Sequence, residues 1–317
     1  MSDPEDLLAE SLETLYDHVP VAHSSAGSEY IYGLDEVSRI HLVTPDTQAA
    51  NWALHASSIW SSAIYVADHV LDLHLDEHIV RAKQEGRPLR ILELGAGAGL
   101  PSIFIAKSYP DALVTCSDYP DESLIRTLAD NAQRNDVADR CCVVPYGWGS
   151  DPSPLMLSQN AHLDSIPGFD VVLAADTLWN SDTHRIFVQT LQLTLKRSAN
   201  ARVHLVAGFH TGRYVIASFL RLISDAGFVI EELKERRIGG TQERSWSLDR
   251  AESEDEAERR RWVIWMVLRW RHVESPRWYD YLLPISRIAR PNLRSNHDCQ
   301  HEDHPSTSEA TGTQHRS

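Results

Sequence analysis

The stretch Arg90-Ile91-Leu92-Glu93-Leu94-Gly95-Ala96-Gly97-Ala98-Gly99-Leu100-Pro101 constrains this chain more than any other. Leu89 to Leu94 is a short apolar run with one carboxylate, Glu93, and reads as a buried strand. Glycines at every second position, 95, 97 and 99, then let the backbone turn tightly and come close to a ligand. Pro101 fits the first turn of a helix, where no amide donor is needed. That helix continues through Ile103, Phe104, Ile105 and Ala106, and the free N–H groups at its start favour an anion.

About 20 residues further on comes a second apolar run, Ala112 to Ser117, that ends in Asp118. A carboxylate at the tip of the second strand is placed to accept hydrogen bonds from ribose hydroxyls. Strand, glycine turn, helix, strand, acid is the nucleoside-binding half of a doubly wound α/β fold, and two cofactor classes share it. A dinucleotide site wants the third glycine one place later, where Leu100 stands. The spacing Glu93-x-Gly95-x-Gly97-x-Gly99 resembles instead motif I of the S-adenosylmethionine (SAM) methyltransferases.

The chain has 317 residues, 42% of them hydrophobic, which suffices for one large domain or two small ones with a sizeable core. A formal net charge of −15 argues against binding nucleic acid through its phosphates and suits a small molecule or a basic protein partner. The four cysteines, 116, 141, 142 and 299, lack metal-ligand spacing and read as reduced thiols of a cytosolic or nuclear protein. The acidic N-terminus has no basic region of a signal peptide, and the apolar run Trp262 to Leu268 is too short to span a bilayer.

Residues 1–50 read as an acidic, partly helical extension with a loop-rich lead-in, and 52–80 carry helical spacing. The catalytic domain is expected over 51–290. The spacing predicts strands at 89–94, 112–117, 141–145, 169–175, 202–208, from 229 and at 261–270, and helices at 101–107, 121–134, 182–197 and 213–226. Strands alternating with helices imply a mostly parallel sheet. A loop joins the last two strands, which permits an antiparallel pair. Residues 239–261, rich in charge, read as a solvated insertion. Residues 291–317 read as a disordered polar tail whose clustered histidines 297, 301 and 304 are incidental, so no metal is expected.

With these elements placed, the chain resembles the seven-strand protein methyltransferases called family 16. More narrowly, it resembles fungal nicotinamide N-methyltransferase-like proteins, also described as N-terminal and lysine methyltransferases of translation elongation factor 1-alpha. The resemblance covers residues 50–270. It rests on Leu54 to Ala67 around Trp60, Glu93 to Pro101, Ser117 to Asp121, Pro145 to Gly149 and Ala175 to Asn180. It implies a Rossmann-like seven-strand class I methyltransferase fold, mostly parallel, with the last strand reversed. It further implies SAM as cofactor and, as acceptor, a lysine or N-terminal amine of a basic protein; the alternatives are a small-molecule amine such as nicotinamide, or an inactive SAM-binding scaffold. The protein is expected to be monomeric.

Carried over residue by residue, the resemblance opens the cofactor set at Glu93 and puts Gly95, Ala96 and Gly97 at the methionine end. Asp118 holds the ribose, Tyr119 flanks the adenosine, Trp148 packs by the adenine, Ala175 lies under the cofactor and Trp60 covers it. Asp176 and Trp179 match the acidic-x-x-aromatic motif that holds the acceptor amine. An aromatic wall suits an adenine face, and a sulfonium or an amine favours a nearby π-face. Plain packing is the other reading of Trp60 and Trp148, and a cap that of Glu93 and Asp176. Phe209 to Arg213 sits at a strand end on the rim of the site and departs from the family's proline-containing stretch.

Overall fold

A computed structural model describes residues 20–33, 39–157 and 167–271. Twelve strands run in chain order: β1 (Ala22–His23), β2 (Glu29–Tyr32), β3 (Ile40–Val43), β4 (Ile59–Trp60), β5 (Leu89–Leu94), β6 (Ala112–Asp118), β7 (Cys141–Pro145), β8 (Val171–Ala175), β9 (Arg202–Gly208), β10 (Phe228–Arg237), β11 (Glu243–Ser245) and β12 (Trp262–Trp270). The helices are α1 (Ser61–Asp68), α2 (Leu75–Gln84), α3 (Leu100–Ser108), α4 (Glu122–Arg134), α5 (Ser153–Leu157), α6 (His184–Thr194), α7 (Arg213–Asp225) and α8 (Glu256–Arg260). None of the described helices is long and apolar enough to cross a membrane.

The main sheet has the order β11-β10-β12-β9-β8-β5-β6-β7. From β9 to β7 all pairs are parallel, and β12 lies antiparallel to both β9 and β10. This is the class I methyltransferase arrangement with one edge strand added. β5 is buried along its whole length, Arg90 and Glu93 included, as befits a central parallel strand. Leu89 and Ile91 pack with α1, α2 and α3 on one face, and Leu92 and Leu94 with α6 and α7 on the other. The chain leaves β5 toward β6 on one side and returns through β8 on the other. A crevice therefore opens at the carboxyl ends of β5, β6 and β8, where such sheets bind ligands.

One sequence expectation is incomplete and two give way. The lead-in before residue 50 is loop-rich over its described part but also carries a hairpin, β2 and β3, docked on α4. Two α4 amides hold it, Asn135 bonding the backbone N–H and C=O of His41, and Asn131 those of Val43. The helical spacing over 52–80 breaks into β4, α1, a 3₁₀ turn and α2, with His55 and His74 in left-handed conformations at the breaks. The insertion at 239–261 is not simply solvated. It supplies β11, a 3₁₀ turn and α8, and its Glu254 reaches Arg213, whose side chain is fully buried against Glu235. The polar tail and its histidines lie outside the described residues.

Candidate active site

The glycine turn is tied down at both ends. Gly95 and Ala96 donate their N–H groups to the Ser117 carbonyl at 2.9 and 3.1 Å, and Gly97 donates to Asp118 Oδ2 at 2.7 Å. The glycines answer different demands. At Gly99, where φ is +88°, a Cβ would stand 2.5 Å from Leu128 Cδ1, so this glycine lets α3 approach α4. At Gly97, where φ is +55°, the nearest atom to a Cβ would be the Ala56 carbonyl oxygen at 3.8 Å. That open side faces a cavity of about 540 Å³, within the range of small-molecule sites.

Trp60, Glu93, Gly95, Ala96, Gly97, Asp118, Tyr119, Trp148, Ala175, Asp176 and Trp179 all line this one cavity. The sheet brings them there from strand ends far apart in sequence. Asp118 closes β6, and both its oxygens take backbone N–H groups, Oδ2 from Gly97 and Oδ1 from Tyr119 at 2.6 Å. A carboxylate has further lone pairs for a ribose hydroxyl. Burial pushes the Asp118 carboxyl up to about 6, against the pull of those two amides.

Glu93 is turned toward α3. Its Oε2 accepts the Ser102 N–H at 3.0 Å and the Ser102 hydroxyl, so the capping role is realised on a residue that also lines the cavity. Burial pushes the Glu93 carboxyl up to about 8, with the Asp118 charge adding to the rise. At neutral pH the pair thus carries one negative charge, on Asp118. Environments that separate two carboxyls in this way recur at functional sites.

On the other side stands the end of β8. Asp176 has a left-handed backbone, φ +56°, rare for a residue with a Cβ and a conformation that clusters at functional sites. Its Oδ1 accepts the Gly208 N–H at 3.0 Å. It does not cap the next turn; Asn180 does, accepting from the Asp182 N–H at 3.0 Å. Trp179 meets the ring of His55 edge-on at 5.0 Å, and Trp60 stacks on His210 at 5.3 Å. The Trp60 indole N–H donates to the His55 carbonyl at 2.8 Å. Trp148 both lines the cavity and leans on Phe187, ring centres 4.7 Å apart.

Sequence reasoning missed several neighbours. His55 had no signal, because its place follows from a 3₁₀ turn over 49–54 that periodicity does not show. His210 is not among them: the tract 209–213 is expected on the rim of the site, and its His210 stacks on Trp60. Thr177 would touch a Cβ on Gly95 at 2.9 Å and so closes the turn from the β8 side. No group of three or more metal-ligating side chains occurs among the described residues.

Residues 47–225 match the family model described as lysine methyltransferase. The protein N-terminal and lysine N-methyltransferase efm7 of Schizosaccharomyces pombe is 32% identical over 188 residues, 58% of this chain and 69% of that protein. The protein of the same name from Gibberella zeae is 30% identical over 194 residues, with the same two shares. That of Debaryomyces hansenii is 33% identical over 147 residues, 46% of this chain and 54% of its own.

Proposed function

The chain belongs to the lysine methyltransferase family, and from that premise we propose that it transfers methyl groups from SAM to a protein amine, a lysine side chain or an N-terminus. The observation that carries this reading is one cavity with the Gly97–Asp118 pair on one wall and Asp176 with Trp179 on another. The donor set fits SAM. Asp118 offers acceptor capacity for the ribose, Trp148 and Tyr119 an aromatic wall for the adenine, and the open side of Gly97 room for the methionine end. When bound, SAM supplies a methyl group on a positively charged sulfur.

The chain's own part is positioning. An amine accepts a methyl only when it is neutral and its lone pair points at the methyl carbon, so orientation dominates the barrier. The Asp176 carboxylate, fixed through Oδ1, retains capacity for an amine N–H and for the proton that an ammonium must lose. The Trp179 and Trp60 faces attract the cationic groups on both sides of the transfer. The protein's negative charge favours a basic partner. Among such partners, translation elongation factor 1-alpha is the first to test.

The test incubates the full chain with radiolabelled SAM and whole-cell extract. Label in a protein band, lost in Asp176→Asn and Trp179→Ala while S-adenosylhomocysteine affinity stays within about threefold (roughly 0.6 kcal/mol), is the expected result. Label confined to small molecules would replace the protein acceptor by a metabolite. Full activity in Asp176→Asn would remove that carboxylate from the reaction.

A further inference from the structure

Asp121, three residues beyond Asp118, belongs to none of the roles above, yet it is 2% exposed and makes bonds in two directions. Its Oδ1 accepts the Leu124 N–H at 3.0 Å and so caps α4. Its Oδ2 accepts the Asn51 side-chain amide at 2.6 Å and the Gln48 N–H at 3.4 Å. Asn51 lies in the 3₁₀ turn of a strap, residues 47–57. The hydroxyls of Thr47 and Ser57, 3.2 Å apart, close the base of that strap. Asn51, Leu54, His55 and Ala56 line the same cavity as the glycine turn, with the Ala56 carbonyl oxygen beside Gly97. At the outer side of the same turn, Trp52 is 67% exposed. A loop closed at its base and pinned at its tip is a compact Ω-type element, and such elements gate ligand exchange in many enzymes.

We infer that Asp121 is a positioning residue for the cofactor: through Asn51 it latches the strap over the cavity and slows cofactor exchange. The inference rests on SAM occupying this cavity. The geometry separates the latch from the cap, because the two use different oxygens. Serine is a good N-cap but is too short to reach Asn51, so Asp121→Ser keeps the cap and opens the latch. Asn51→Ala breaks the shorter latch bond and leaves the Asp121 cap and the Gln48 contact in place.

The experiment measures the dissociation rate of S-adenosylhomocysteine from the full chain by stopped-flow displacement, followed by the intrinsic fluorescence of the cavity tryptophans. The thermal midpoint of each ligand-free variant is measured alongside. The expected result is dissociation on the order of tenfold faster (about 1.4 kcal/mol) in each single variant. The double variant should be no faster than Asp121→Ser, since that variant already lacks the Asn51 bond, and ligand-free Asn51→Ala should keep its midpoint. Dissociation within twofold of wild type in Asn51→Ala would overturn the inference. So would faster release in Asp121→Ser alone, which would trace the effect to the Gln48 bond or the lost charge and not to the Asn51 latch. A wild-type chain that binds no S-adenosylhomocysteine would overturn the cofactor reading along with it, which distinguishes the two failures.

Discussion

Replacing Glu93 by glutamine removes a buried titratable proton and little else. The side chain is 1% exposed, and its Oε2 accepts both the N–H and the hydroxyl of Ser102, a role that the glutamine oxygen retains. Burial raises the Glu93 carboxyl to about 8 in the folded protein, whereas an unfolded chain titrates it near 4.3. Between those values the native state holds a proton that the unfolded state has released. Stability from this group is therefore complete below the unfolded value and is lost as pH rises to about 8, at up to about 1.4 kcal/mol per pH unit. From pH 5 to pH 7 the wild type should lose roughly 2–3 kcal/mol relative to Glu93→Gln. At pH 5 the two should agree within about 1 kcal/mol, because each presents a neutral side chain to Ser102. Urea unfolding of both ligand-free proteins at several pH values checks this, and the difference between the two curves cancels most other titrating groups. A difference flat to about 0.5 kcal/mol over that range would refute a raised Glu93 and the one-charge description of the site.

Three further outcomes are expected. Asp118→Ala should weaken S-adenosylhomocysteine binding by about 1.5–3 kcal/mol in calorimetry; wild-type affinity should fall as pH drops through about 6, where the raised Asp118 carboxyl takes up its proton, and the alanine variant should lack that dependence. Gly99→Ala should cost about 2–4 kcal/mol in chemical unfolding, combining left-handed strain with the Leu128 contact, and a loss under 1 kcal/mol would show that α3 and α4 part easily. Glu235→Ala should cost about 3–5 kcal/mol by leaving the buried Arg213 guanidinium with one carboxylate fewer. Deletion of 241–258 should likewise lower the thermal midpoint, because it removes Glu254 and Arg244 from the same network.

The sequence alone determined what short-range backbone chemistry controls. An apolar run, alternating glycines and Pro101 specify strand, turn and helix within a dozen residues, and the positive φ at each glycine is a local demand. The tips of the following strands put Asp118 and Asp176 at the carboxyl edge by connectivity, because parallel strands joined by helices all end on one side. Tertiary structure decided the rest. β12 slips between β9 and β10, an order that no periodicity encodes, because the edge of β9 left free by β8 could take either strand. Composition made residues 239–261 look solvated, yet opposite charges there neutralise one another around Arg213, and only folding brings Glu254 to it from 41 residues away. Asn51 finds Asp121 across 70 residues, and Trp60 finds His210. Such contacts are single side-chain encounters between elements the sheet happens to align, and nothing in the spacing of residues along the chain records them.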